Sequence, residues 1–304
     1  MTSRKNKVHY LLVDGTYYLY RSYYSFSFLK NKHNVSSGAI YGVINILKKF
    51  SFQYPKTHII IIFDSPTKTF RHELFHSYKL NRHMMPTNLK LQIKPLYEII
   101  KTMGFPILTI PNFEADDVIG TLAYEADKKG KITLISTNDK DLAQLVNTNI
   151  NILEEKSGTI LGNKEIEKKY GVVPRLIPDL FGLMGDKSDN IPGVLGIGKK
   201  TALVLLKYFG SIQNIYRNIH EITKSSFRGA NNTYKKLIKN KKLAFVSKNL
   251  ATIRTNVYIN KSINELVMSK PSIYKLSNFF KYYEFYNFLK LLDKGTFLMN
   301  MNKF

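Results

Sequence analysis

Cysteine is absent from this chain of 304 residues, which excludes disulfides and thiolate metal sites and fits a reducing cytoplasm. Long apolar runs are missing too. The one behind the basic start Met1–Lys7 stops at Asp14, too short for a signal segment, and nothing later approaches a membrane span. The expectation is a soluble, cytoplasmic, monomeric protein without internal repeats or low-complexity linkers. Negative charge is also scarce, with 22 Asp and Glu against 46 Lys and Arg, a formal net charge of +24. That excess suits a polyanionic partner, above all nucleic acid. A composition rich in Lys, Asn, Ile and Tyr would also be basic with no such partner, so charge alone decides little. At 44% hydrophobic and 13% aromatic residues the chain is globular, with room for one large domain or two small ones.

The few acids are not scattered. Nine of the 22 are Asp14, Asp64, Glu114, Asp116, Asp117, Asp139, Asp141, Asp186 and Asp189, and most fall in three tight groups. The groups are Glu114-Ala115-Asp116-Asp117, Asp139-Lys140-Asp141 and Asp186-Lys187-Ser188-Asp189. Crowded carboxylates repel one another unless hard divalent cations neutralise them. Oxygen-only ligands without cysteine select Mg²⁺ or Mn²⁺ over zinc. A carboxylate metal site on a very basic chain points to a nuclease.

Short β-rich runs at 8–13, 58–63, 107–110 and 132–136 alternate with helical patterns at 38–50, 89–103 and 114–128. Continuous apolar strands alternating with helices predict a parallel sheet covered on both faces, with ligands at the carboxyl ends of its strands. Asp14, Asp64 and Asp139 each follow a strand end, so the sheet would gather them. Any one alone reads as a cap or turn residue. Beyond about residue 160 the pattern is mainly helical, with helices near 164–170, 175–184, 199–209, 233–248 and 273–291 and a fraying tail from 293.

Three further features bear on chemistry. Gly193, Gly196 and Gly198 form a short hairpin running into Lys199, Lys200 and Thr201, which exposes backbone N–H groups and cations to a phosphate. From Arg71, a helical stripe through Phe75, Tyr78, Lys79 and Arg82 interleaves cations and aromatics in a manner suited to a single strand. The run His72-Glu73-Leu74-Phe75-His76 has the spacing of a zinc protease helix, but no third ligand follows and cations crowd it.

From about residue 8 to 290 the chain resembles the 5′-nuclease domain of bacterial DNA polymerase I, within the flap endonuclease family. The resemblance rests on Val13-Asp14-Gly15, Gly38–Val43, Phe63-Asp64, Lys68–Arg71, Tyr78-Lys79, Met103-Gly104, Glu114–Ala123, Asp139–Asp141, Leu183–Gly193 and Ser226–Ala230. It implies an α/β, PIN-like core with a mostly parallel central sheet over 1–170, carrying a helical arch at about 66–95. A helical DNA-binding region with a helix–hairpin–helix element would span 171–292, leaving a tail at 293–304. It implies two metal clusters, Asp14, Asp64, Glu114 and Asp116, then Asp139, Asp141, Asp186 and Asp189, with Asp117 close by. Two or more Mg²⁺ ions would bind, Mn²⁺ able to substitute, with K⁺ at the hairpin.

The same resemblance assigns Arg71, Tyr78, Lys79 and Arg82, with the hairpin residues 193, 196 and 198–201, to DNA contact. Catalysis would rest on Lys79, Arg82, Asp116 and Asp186. The implied substrates are duplexes with 5′ ends, nicks or flaps and RNA primer–DNA junctions. As nothing resembling proofreading or polymerase domains follows, the expected chain stands alone and takes DNA from a separate polymerase. Asn138 replaces a usual Gly, and Thr16-Tyr17 a Ser pair, without removing any ligand. The alternatives are an inactive DNA-structure binder and the zinc protease.

Overall fold

The computed structural model describes residues 8–298 except 156, 225, 226 and 228, so Ser226 and Arg228 of one family motif lie outside the described residues. Strands β1 (Tyr10–Asp14), β2 (His58–Ile62), β3 (Ile107–Leu108), β4 (Thr133–Ser136), β5 (Ile150–Glu154) and β6 (Thr159–Leu161) make one sheet. Their order is β3-β2-β1-β4-β5-β6, and every pairing is parallel except that of β5 with β6. Helices α1 (Gly15–Ser25), α2 (Gly38–Gln53), α3 (Phe70–Leu74), α4 (Thr87–Thr102) and α5 (Ala115–Lys128) belong to the sheet-forming part. After it come α6 (Asn163–Tyr170), α7 (Ile177–Met184), α8 (Lys199–Phe209), α9 (Ile212–Arg217), α10 (Ala230–Lys239) and α11 (Lys241–Ala251). The last two are α12 (Ile273–Tyr282) and α13 (Tyr286–Asp293). Among the described residues no helix is long and apolar enough to cross a membrane.

Side chains alternate across a strand, so the two sheet faces feed two cores. Leu12, Ile60, Ile62 and Ile135 pack with Val118 and Leu122 of α5 and with α6–α11. Leu11, Val13, Ile59, Ile61 and Leu134 pack with Ile40 and Leu47 of α2, with α4, and with Phe280 and Phe288. Because neither face meets water, the central strands read as unbroken apolar runs. Each buried Ile or Leu contributes ~2 kcal/mol relative to exposure, so a charge at Ile60 would break this layer.

Several expectations need correction. Helix α1 was not foreseen in a segment dense in tyrosine; it forms because the Asp14 carboxylate accepts the Tyr17 N–H at 2.9 Å and Tyr18, Leu19 and Ser22 turn inward. Strands β5 and β6 were also missed. The expected helix at 233–248 is two, α10 and α11, parted at Asn240, and that at 273–291 is parted around Glu284, whose φ is 58°. Of the tail expected to fray from 293, Phe297 and Leu298 are buried, with the Phe297 ring 5.0 Å from Phe280, and residues 299–304 lie outside the described residues. The stripe from Arg71 to Arg82 is not helical either. After α3 the chain extends at Phe75 (φ −151°) and passes through turns, with Lys79 in the left-handed region at φ 56°.

Candidate active site

Parallel strands ending on one edge bring three acids together. Asp14 closes β1, Asp64 lies just beyond β2, and Asp139 just beyond β4. Asp14 accepts the Tyr17 N–H at 2.9 Å and the Thr137 hydroxyl at 2.8 Å. Asp64 accepts the Ala115 N–H at 2.7 Å, which ties it to the start of α5. The N-terminal end of α5 supplies Glu114, Asp116 and Asp117, where the helix dipole favours negative charge. A cavity of about 260 Å³ is lined by Asp14, Asp64, Asp116, Asp139, Lys79 and Arg82, among others.

The acids destabilise one another. Burial first, then Asp64, pushes Asp14 up to about 7. Burial, Asp139 and Asp14 raise Asp116 well above the ordinary carboxylate value. Asp141 is raised likewise by burial, Asp139 and Asp189, and its buried Oδ1 has no hydrogen-bond partner. Other acids are held low against burial by their partners: Glu114 by the cations Lys79 and Arg71, Asp186 by the Lys140 ammonium and by hydrogen bonds from Ser188. Lys79 Nζ lies 2.9 Å from Glu114, Arg82 Nη2 2.6 Å from Asp189, and Lys140 Nζ 2.6 Å from Asp186. Crowded all-oxygen donors with an orphaned carboxylate oxygen fit a hard divalent cation. Among the described residues, no three of them form a ready-made ligand set.

The raised Asp14 has a definite sign in stability. Between about 4 and 7 the folded state keeps a proton that the unfolded chain has released, so this group's contribution falls as pH rises through that window. Asp14→Asn keeps an acceptor for Tyr17 and a partner for Thr137. In metal-free buffer it should stabilise the protein at pH 8, by on the order of 2–4 kcal/mol, and by less than half as much at pH 5. Equal effects at both pH values in thermal melts would refute this.

Some assigned residues sit elsewhere than expected. Asp117 is fully buried, with both oxygens taken by Arg71 at 2.7 and 2.8 Å and one also by the Arg254 N–H, so it faces away from the cavity. Arg71, 2% exposed, also donates to the Leu250 and Thr252 carbonyls and cannot present itself to DNA. Tyr78 is buried, donating to Glu114 at 3.2 Å. Gly193 is buried: its N–H donates to Ser247, and a Cβ there would lie 2.2 Å from the Gly185 nitrogen. Gly196, Gly198, Lys199 and Lys200 are exposed at the start of α8, with Thr201 partly so, and Lys236 donates to the Gly196 carbonyl at 2.8 Å. The zinc pattern dissolves, since α3 ends before His76 and His72 Nδ1 accepts the Thr69 N–H.

Sequence reasoning missed Thr16, whose hydroxyl receives the Asp64 N–H, together with Thr137 and Lys140. The only signals were that Thr16 stands near Asp14, that Lys140 lies between Asp139 and Asp141, and that Thr137 precedes Asp139 by two residues.

A carboxylate cavity flanked by cations at one edge of a parallel sheet, joined to an exposed basic hairpin, is the layout of a nucleic-acid hydrolase. Residues 9–171 match the model of the 5′-3′ exonuclease, N-terminal resolvase-like domain, and residues 172–273 that of the 5′-3′ exonuclease, C-terminal SAM fold. The chain is 54% identical over 296 residues to a 5′-3′ exonuclease of Buchnera aphidicola subsp. Baizongia pistaciae, spanning 97% of this chain and 98% of that one. It is 40% identical over 280 residues to DNA polymerase I of Pseudomonas aeruginosa, spanning 92% of this chain and 31% of that protein. The chain belongs to the 5′-3′ exonuclease family. Its fold is shared with the T5 D15 protein co-crystallised with metal ions (TM-score 0.65, 22% identity, 80% of this chain, 89% of that one). The catalytic core of Rad2 in complex with DNA shares it too (TM-score 0.62, 17% identity, 94% and 92% covered).

Proposed function

We propose that this chain is a structure-specific 5′-3′ exonuclease and flap endonuclease that hydrolyses phosphodiester bonds with divalent metal ions. The observation that carries the reading is the convergence of Asp14, Asp64, Asp116 and Asp139 on one cavity also lined by Lys79 and Arg82. Asp14, Asp64, Glu114 and Asp116 would hold one Mg²⁺ and Asp139, Asp141, Asp186 and Asp189 another, Mn²⁺ substituting. Bound there, the ions would ionise the attacking water and polarise the scissile phosphate. Lys79 and Arg82 then release their carboxylates and turn to charge developing on the phosphate, the kind of stabilisation worth about 3 kcal/mol per donor. The Gly196–Thr201 segment grips the duplex backbone. Potassium at the same hairpin has to share it with the Lys236 ammonium, which already occupies the Gly196 carbonyl. The substrates are 5′ ends, nicks and flaps in DNA and RNA primers on DNA, delivered by a separate polymerase to a cytoplasmic monomer.

The deciding assay is cleavage of an end-labelled 5′-flapped duplex in Mg²⁺, Zn²⁺ or EDTA. Mg²⁺-dependent cuts near the flap junction, lost in EDTA, are expected, with binding that weakens steeply as salt rises. Tight binding without cutting in any metal would instead make the chain a DNA-structure binder.

A further inference from the structure

The acidic motifs carry two lysines with opposite fates. Lys187 is exposed, whereas Lys140, set between Asp139 and Asp141, folds inward. Its ammonium lies 2.6 Å from Asp186 Oδ2, donates to the Ser188 hydroxyl at 2.7 Å, and stands 5.4 Å from the centre of the Phe181 ring. Ser188 in turn donates to the Asp186 carboxylate at 2.8 Å, so lysine, serine and aspartate close a small polar ring. On the adjoining turn the buried Asp141 Oδ1 is left without a partner. Around the other acids the arrangement differs: Lys79 and Arg71 gather on Glu114, and among the described residues no Lys or Arg lies within ion-pair distance of Asp14, Asp64 or Asp116.

We infer that Lys140 is a built-in counter-ion of the Asp139, Asp141, Asp186 and Asp189 cluster, and that it must leave Asp186 before a divalent cation can use that carboxylate. The inference rests on the reading above that these acids take divalent cations. A cation arriving at this cluster trades places with Lys140 on Asp186 and meets Arg82 on Asp189, whereas one arriving at Asp14, Asp64 and Asp116 displaces a cation only where it also takes Glu114, which Lys79 holds at 2.9 Å. The two positions therefore differ in affinity, and the one guarded by Lys140 is the weaker. Arg82 on Asp189 acts in the same direction from the other side of the cluster, at 2.6 Å. A phosphate that draws Arg82 away would loosen the guard, which links DNA to occupancy of the second position.

The test is Mn²⁺ binding to the full chain without DNA, followed by the paramagnetic resonance of free Mn²⁺. Lys140→Met should tighten the weaker Mn²⁺ by about threefold to fivefold, the scale of a partly exposed ion pair, and Lys140→Arg should not. Lys187→Met removes a charge of the same sign from the neighbouring motif and should change binding less than about twofold. Equal tightening by Lys187→Met would overturn the inference, because a general field would then explain both. Unchanged or weaker binding by Lys140→Met would overturn it as well. Should that variant fail to fold, Lys140→Gln carries the same comparison. If the unsubstituted chain binds no Mn²⁺, the metal reading falls and this inference with it; normal binding that ignores Lys140 sinks the inference alone.

Discussion

Asp116→Ala should lower flap cleavage by about a thousandfold or more, equivalent to ~4 kcal/mol of lost transition-state stabilisation, while duplex affinity stays the same or improves. Asp116 opens α5 beside Asp14, Asp64 and Asp139, and its charge is opposed by burial and by those neighbours. Under the proposed function that carboxyl is kept there as a metal ligand. Removing it also relieves repulsion, so the metal-free protein should melt no lower than before. Single-turnover rates and a fluorescence binding curve on one substrate separate the two effects. Near-normal cleavage would exclude Asp116 from the metal site, and a parallel loss of affinity would mean that the cavity had rearranged.

Arg71→Met should destabilise the fold by about 3–5 kcal/mol, because it strands a buried carboxylate. Asp117 is fully buried, and its charge is balanced by the two Arg71 contacts at 2.7 and 2.8 Å. The same guanidinium joins α3 to the end of α11 through the Leu250 and Thr252 carbonyls. The paired variant Arg71→Met with Asp117→Leu should recover much of the loss, since neither charge is then left alone. Denaturant titrations of the singles and the double measure this directly. A loss under about 1 kcal/mol for the single variant would show that water reaches Asp117 after all.

The central strands were legible because both faces of the sheet are buried, which leaves unbroken runs such as Ile59–Ile62. The strand-end acids were legible for a related reason: a polar residue directly after such a run has one place to go. What the sequence concealed was direction. Nothing in the spacing of Arg71, Tyr78, Lys79 and Arg82 shows that the first two turn inward and the last two line the cavity, because no single helix carries them. Asp116 and Asp117 are neighbours with the same side chain, yet Asp116 lines the cavity and Asp117 meets a buried guanidinium. The split at Asn240 was hidden for another reason, as apolar periodicity continues through a break where the Asn240 backbone leaves the helix at φ −113° and its amide donates to the Lys236 carbonyl.

The backbone at Lys79 limits how this protein can drift. Asn34, Asn112 and Asn190 also adopt left-handed φ, and asparagine tolerates it, but Lys79 at φ 56° does so at a cost of about 1 kcal/mol. Glycine would sit there more comfortably. Against that gain stands the ammonium that reaches the buried Glu114 at 2.9 Å, whose loss would cost more than the relaxed backbone returns. A descendant with glycine at 79 would gain an easier turn and leave Glu114 to Arg71 at 3.3 Å, so the strained backbone and the ion pair are kept or lost together.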